Sequence, residues 1–208
     1  MHQSNSKEPS LIKNYLYNLS YKLLAILIPI ITTPYIARVL KAESIGAFSY
    51  TQSLATYFSI FGIMGLDLYG QLQISKTRDN KERLSQSFCE IFISKLITSV
   101  ISITIYAVFV ACYKQYSQLL LVMGIMLIAN AFDISWLFQG IENFKNVVIR
   151  NYIIKLVGLV LILLFVKSKD DVVLYAIIIQ STTLLGNLTL WYRIKSIITF
   201  KRVEIKVI

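Results

Sequence analysis

Residues 96–132 read LITSVISITIYAVFVACYKQYSQLLLVMGIMLIANAF, and Lys114 is the only charged residue among them. The charge-free runs on either side of Lys114 each reach the roughly 18 residues that identify a candidate transmembrane helix. Apolar residues fill most positions without the strict alternation of barrel strands, which favours helices over a membrane barrel. The stretch therefore predicts two membrane-spanning helices joined by a short loop.

The same pattern continues on both sides of this stretch. The chain has 208 residues, of which 56% are hydrophobic and 15% are charged, with a mean hydropathy of +0.63. An ordinary soluble domain is about 25% charged, so a soluble fold is excluded. The sequence predicts an all-α integral membrane protein with a cytoplasmic segment at 1–13, a six-helix transmembrane lobe at 14–196 and a basic cytoplasmic tail at 197–208. The six predicted helices are 14–40, 44–73, 86–112, 117–139, 147–166 and 172–195.

Basic residues are distributed unequally between the two sides of this lobe. Both termini and the predicted loops 74–85 and 140–146 lie on one side and hold most of the lysines and arginines. The other side holds Arg38, Lys41, Lys114, Lys167 and Lys169. The positive-inside rule therefore places both termini in the cytoplasm. This rule also explains the net charge of +10 without nucleic acid, for which the chain has no motif.

Several charged residues fall inside the predicted helices, in their cytoplasmic halves. They are Lys22, Asp67, Glu90, Lys95, Asp133, Arg150 and Lys155. A charge at bilayer depth costs roughly 2.5–3.5 kcal/mol on insertion scales, so it usually marks a polar cavity or an ion pair. Asn18 and Asn151 precede Lys22 and Lys155 by four residues, and each pair thus shares a helix face.

Two interpretations of these charges remain open. In the first, they only form ion pairs inside the bundle, with Lys22 and Asp67 as the obvious pair. In the second, they line a water-filled vestibule open to the cytoplasm. We favour the vestibule, because four bases cannot all pair with three acids. Pro29 and Pro34 in the first helix are either a static bend or a gating hinge.

The residues that most catalytic and metal sites require are scarce. His2 is the only histidine, and Cys89 and Cys112 both fall in the third apolar segment, where they suit small apolar packing positions. The sequence therefore predicts no catalytic residues, no metal site and no cofactor.

Several segments resemble a known family. They include NYLY at 14–17, TPYIARVL at 33–40, GLDLYG at 65–70 and, most specifically, DISWLFQGIENFK at 133–145. The chain resembles bacterial polysaccharide biosynthesis flippases of the Wzx type, in the superfamily that also contains multidrug exporters. Two positions depart from the family pattern: Lys41, where glycine is usual, and Leu72–Gln73, where an arginine followed by an acid is common. The family motif residues are Asp133, Trp136, Phe138, Gln139, Gly140, Glu142, Phe144 and Lys145.

The resemblance implies a fold and a function. Family members are about twice this length, with two six-helix lobes, so this chain corresponds to the N-terminal lobe of a MATE-like transporter. They move an undecaprenyl-diphosphate-linked oligosaccharide repeat across the bacterial inner membrane for O-antigen or capsule synthesis. The expected partners are this lipid-linked oligosaccharide, the bilayer, and a second lobe or a second copy of the chain. The expected lumen residues are Lys22, Lys95, Arg150, Lys155, Asp67, Asp133, Asn18 and Asn151.

Three alternatives remain. A cation-coupled drug exporter predicts acids deep in the lobe, whereas Lys95 and Lys155 are basic. A membrane enzyme of the same pathway predicts a large outer loop or catalytic histidines. A truncated, non-transporting membrane protein is compatible with the sequence.

The charge bias generates a topology prediction. With Cys89 and Cys112 replaced by alanine, a single cysteine introduced in the 76–85 loop should react with an impermeant maleimide only from the cytoplasm. Cysteines at positions 114 and 169 should react from outside. The opposite labelling pattern would reverse the orientation.

Overall fold

The computed structural model of the protein describes residues 11–198, with the side chains of 11–18, 20–25, 195 and 196 excluded. This part of the chain is built from helices, without strands. The helices are α1 (Leu11–Ile63), α2 (Leu66–Thr77), α3 (Lys81–Cys112), α4 (Ser117–Ala131), α5 (Ser135–Gly140), α6 (Phe144–Phe165), a 3-10 turn at Lys169–Asp171, and α7 (Val172–Ile197).

Four segments within the described residues are long and apolar enough to cross a membrane. They are Lys81–Cys112, Ser117–Gly140, Phe144–Phe165 and Lys169–Ile194. Between residues 97 and 108 the exposed face of α3 is mainly apolar, with Ile97, Ile101, Ile105 and Val108 all exposed. Such an apolar face is costly in water and favourable in hydrocarbon. The predicted all-helical membrane class therefore agrees with this architecture.

The first two predicted helices are one element with a sharp corner at Lys41. Helical backbone angles continue through Pro29 and Pro34, and the non-helical residue of α1 is Lys41 (φ 62°, ψ 168°). The corner lies between the predicted helices 14–40 and 44–73, beyond Pro29 and Pro34, and it separates a first arm (11–40) from a second arm (42–63). It is fastened by the Ser44 hydroxyl, which donates to the Lys169 carbonyl oxygen at 3.0 Å.

The predicted helix 44–73 is interrupted. Met64 and Gly65 both have positive φ, 47° and 74°, and α2 begins just after them. Glycine tolerates this region because it has no Cβ, and a helix cannot propagate through it. The predicted single helix over 44–73 is therefore two helices that meet at residues 64–65.

The predicted helix 117–139 is also interrupted, between α4 and α5. The Asp133 carboxylate accepts hydrogen bonds from the backbone N–H of Ser135, at 2.9 Å, and from its hydroxyl. Such local side-chain bonds compete with the helical ladder, and they stabilise the non-helical segment at this position.

Lys95 joins the two interruptions. Its side chain is fully buried, and its ammonium donates to Asp67 Oδ1 at 2.6 Å and to the Asp133 carbonyl oxygen at 2.9 Å. Asp67 lies at the start of α2, and Asp133 lies in the α4–α5 link. Asp67 therefore pairs with Lys95; the side chain of Lys22, its predicted partner, lies outside the described residues. The bridge fixes both half-helices against α3.

The two short helices α2 and α5 pack directly against each other. A Cβ at Gly70 would lie 2.6 Å from Trp136 Cε3, and a Cβ at Gly140 would lie 2.7 Å from Ile74 Cβ. Glycine is needed at both contacts because the helices approach so closely. At the exposed end of the pair, Arg78 Nη1 lies 2.5 Å from Glu142 Oε1, and this contact raises the pKa of the Arg78 guanidinium. The pair α2–α5 is therefore held at both ends.

The Lys95 bridge generates a stability prediction. Asp67→Asn removes one charge of the pair and leaves a buried ammonium uncompensated, which costs about 3–5 kcal/mol. The double change Asp67→Asn with Lys95→Met should recover most of this loss, because the buried charge is then absent. Thermal denaturation in detergent measures both, with the exposed Glu90→Gln as a control that leaves the midpoint unchanged. Equal destabilisation by the single and double variants would contradict the bridge.

The corner at Lys41 generates a second prediction. A non-glycine residue in this backbone region costs about 1–3 kcal/mol. Lys41→Gly relieves that strain, so the melting midpoint should rise despite the greater entropy that glycine loses on folding. The control is Lys41→Ala, which removes the same charge and retains a Cβ. A rise with alanine equal to that with glycine would assign the effect to charge.

Candidate functional site

A cavity of about 390 Å³ lies among α1, α4, α6 and α7. One wall is the first arm of α1, and the opposite walls are the facing sides of α6 and α7. The interrupted end of α4 contributes Asn130 and Asp133. The apolar lining is Ile28, Pro29, Ile154, Gly158, Leu159, Ile162 and Ile179, and the polar lining is Thr32, Asn130, Asp133, Arg150, Asn151, Lys155, Tyr175, Thr182, Thr183 and Asn187.

Arg150 is the most highly connected polar side chain of this cavity. Its side chain is 9% exposed and lies 3.3 Å from Asp133 Oδ1. Nη1 also donates to Ser135 Oγ at 3.0 Å and to Asn187 Oδ1 at 2.9 Å, while Nε and Nη2 donate to Asn151 Oδ1. The guanidinium is therefore held in one orientation by groups from three different segments.

Asn187 extends this network into α4. Its side-chain amide donates to the Ala129 carbonyl oxygen at 2.7 Å, near the end of the helix, where carbonyls lose their helical partners. The same amide group accepts from Arg150 through its oxygen. A single asparagine thus connects the helix end to the guanidinium.

Lys155 adds a second base to the cavity. It lies four residues after Asn151, so both are on the α6 face that lines the cavity. Arg150 and Lys155 face one carboxylate, Asp133, so the described lining has an excess of positive charge. Amides and hydroxyls supply most of its remaining polar groups. Such a cavity suits a ligand that has both negative charge and hydroxyl groups.

The structure brings together some of the predicted site residues. Asp133, Arg150, Asn151 and Lys155 line the cavity, as does Pro29. Lys95 and Asp67 form the bridge described above and are not among the lining residues. The side chains of Asn18 and Lys22 lie outside the described residues.

The residues of the family motif mainly determine packing. Trp136 and Phe138 are buried with Ile74, and Trp136 stacks on Phe88 with ring centroids 5.3 Å apart. Gly140 contacts α2, Glu142 pairs with Arg78, and Phe144 begins α6. Gln139 lies in the last turn of α5, before Gly140, and Lys145 is exposed. Residues 11–198 contain no group of three or more His, Cys, Asp or Glu side chains placed to hold a metal ion.

Sequence reasoning missed some contributors to the cavity. Ser135 contacts Arg150, and Thr32, Tyr175 and Thr182 add to the lining. The helical spacing of Gln180, Thr183 and Asn187 predicts a polar stripe on α7, and Thr183 and Asn187 line the cavity. Gln180 precedes Thr183 on that helix, but it is buried and donates to Met123 Sδ at 3.6 Å.

Comparison with known proteins adds sequence relatives. The family described as "Polysaccharide biosynthesis protein" matches residues 11–206. A protein of Escherichia coli strain K12, named "Putative O-antigen transporter", is 27% identical over 187 residues, which cover 88% of this chain and 45% of that protein. A Shigella dysenteriae protein of the same name is 31% identical over 149 residues, covering 71% of this chain and 37% of the relative.

These matches show the family of the chain and the share of each relative's length that it covers. The chain spans less than half the length of the curated relatives it matches. No solved structure matches it. The apolar helices and these relatives identify a multi-pass membrane protein. The chain belongs to the polysaccharide biosynthesis protein family.

Proposed function

We propose that this chain is one lobe of a flippase that moves lipid-linked oligosaccharide repeats across the bacterial inner membrane. The observation that carries the proposal is the cavity with an excess of positive charge, in which Arg150 is fixed and Lys155 lies on the same wall. The two relatives named as O-antigen transporters support the same assignment.

The proposed lobe has six spans. The two arms of α1 are about 45 Å and 33 Å long at 1.5 Å per residue, enough to cross the hydrocarbon core. With the four apolar segments described above, they would complete the six-helix count. The positive-inside rule would place both termini in the cytoplasm.

The cavity chemistry supports a diphosphate-linked sugar as the ligand. A diphosphate is costly to bury near apolar walls unless cations compensate its charge. Arg150 and Lys155 supply cations, and the lining amides and hydroxyls suit sugar hydroxyl groups. The volume of about 390 Å³ suits only part of an oligosaccharide, so the remaining wall would come from a second lobe or a second copy of the chain.

A cation-coupled drug exporter is the second candidate, and the ion pairs argue against it. Such an exporter needs a carboxylate that is available to a proton or a cationic substrate. Asp67 is bound by Lys95, and Asp133 is bound by Arg150. Asp133, the acid that lines the cavity, therefore already has a cationic partner, as does Asp67 outside the lining, and this favours an anionic substrate.

Transport should depend on the charge of Lys155. We expect Lys155→Ala, in the protein expressed from its complete native gene in cells without their own flippase, to lower surface polysaccharide about tenfold, equivalent to about 1.4 kcal/mol. Lys155→Arg should partly restore it, because the positive charge remains. The amount of polysaccharide is measured against the amount of membrane-inserted protein.

Lys114→Ala is the matched control, because it removes an exposed lysine from the loop between α3 and α4. It should leave surface polysaccharide unchanged. Full activity of Lys155→Ala at normal protein level would refute the cationic cavity as the substrate site.

A further inference from the structure

A second cavity lies on the other side of Arg150, between α6 and α7. Its volume is about 230 Å³. We call it the α6–α7 groove. It is lined on α6 by Asn146, Ile149, Arg150, Ile153 and Ile154, and on α7 by Gly186, Thr189, Leu190 and Arg193.

The groove has a closed end, where the two helices touch. A Cβ at Gly186 would lie 2.0 Å from Ile154 Cδ1 and 3.7 Å from Arg150 Cγ. This close approach leaves no room between the helices at that level. The groove therefore extends from Gly186 and Ile154 toward the start of α6 and the end of α7.

The other end of the groove is polar and positively charged. Arg193 and Asn146 lie there, about two turns from Gly186 and Ile154 respectively. Helix α6 begins at Phe144 and has no acidic residue in its first turn, so the positive end of its dipole is not neutralised from within that turn. The lining residues within the described chain include no acid. This end is therefore complementary to an anion.

The side of the groove is apolar and open. Ile149 and Ile153 both line it and are 41% and 57% exposed. In a membrane-spanning helix such exposed isoleucines contact lipid chains. The guanidinium of Arg150 is bound on the cavity side, and its alkyl stem, near Gly186, is the part that borders the groove. The groove thus joins a cationic end to an apolar side that faces the bilayer.

We propose that the α6–α7 groove binds an anionic phospholipid, with its phosphate at Arg193 and Asn146 and its first acyl carbons against Ile149 and Ile153. The distance from Asn146 to Ile153 along the helix is about 10 Å, which matches the transition from headgroup to hydrocarbon. A free anion would leave the apolar side unused. A zwitterionic lipid would not supply the negative charge that the cationic end accepts. This site is independent of the proposed transport function.

The site lies where such a lipid is available. The same charge bias that orients the chain puts the start of α6 and the end of α7 at the cytoplasmic surface, where anionic lipids give the leaflet a negative potential. A lipid bound in the groove would also contact the alkyl stem of Arg150. It would thereby restrict movement of this side chain between the α6–α7 groove and the 390 Å³ cavity.

The test is native mass spectrometry and thermal denaturation of the purified protein with phosphatidylglycerol, with phosphatidylcholine and with inorganic phosphate. We expect phosphatidylglycerol to bind at least tenfold more tightly than phosphatidylcholine and to raise the melting midpoint. Arg193→Gln should lower this preference at least fivefold, and Thr189→Trp, which fills the groove and keeps its charges, should abolish it. Lys114→Gln, which removes an exposed charge elsewhere, should leave it unchanged.

Each outcome decides the proposal. Unfolding midpoints in phosphatidylcholine establish that every variant is folded. Equal phosphatidylglycerol binding by Arg193→Gln and the native protein would overturn the site. If inorganic phosphate raised the melting midpoint as much as phosphatidylglycerol does, the groove would be an anion site without a lipid. If only a polyprenyl diphosphate displaced the bound phosphatidylglycerol, the groove would be assigned to a transport substrate. Either result would also overturn the phospholipid assignment, without bearing on Lys155 and transport.

Discussion

A buried lysine ammonium requires both an anion and hydrogen-bond acceptors, and the structure supplies them to Lys95 by interrupting two helices. The break before α2 places the Asp67 carboxylate within 2.6 Å of the ammonium, and the break before α5 frees the Asp133 carbonyl oxygen to accept at 2.9 Å. An unpaired charge at this depth would cost several kcal/mol. This one ammonium therefore ties the starts of α2 and α5 to α3, next to the apolar packing of Trp136 on Phe88.

The sequence predicted the helical class and the long apolar segments because hydropathy and length directly report what a bilayer requires. It did not predict the breaks. Met64–Gly65 and the link at Asp133 lie inside apolar runs, where the pattern has no signal for a positive φ or for a side chain that bonds to its own backbone. The corner at Lys41 differs, because the sequence places it in the connection between the predicted helices 14–40 and 44–73.

The missed breaks also explain which site residues could be predicted. Depth counted along straight helices suggested Lys22 as the partner of Asp67, whereas the break at residues 64–65 places Asp67 at the start of α2, where it binds Lys95. Asn151 and Lys155 lie on α6, which is continuous, and their spacing of four residues puts both on the face that lines the cavity. Spacing arguments thus succeeded where the helix is regular. The contacts of Ser135 and Asn187 with Arg150 require tertiary structure, which spacing alone does not contain.

Asp133 connects the architecture to the cavity, because its two polar parts serve different partners. Its backbone carbonyl accepts from Lys95, and its carboxylate binds Arg150 and Ser135. A displacement of the α2–α5 pair relative to α3 must change the position of the Asp133 backbone, and its carboxylate moves with it. Arg150 would then lose or exchange one of the partners that fix its guanidinium. The charge exposed in the cavity is consequently linked to the packing of two short helices that do not line it.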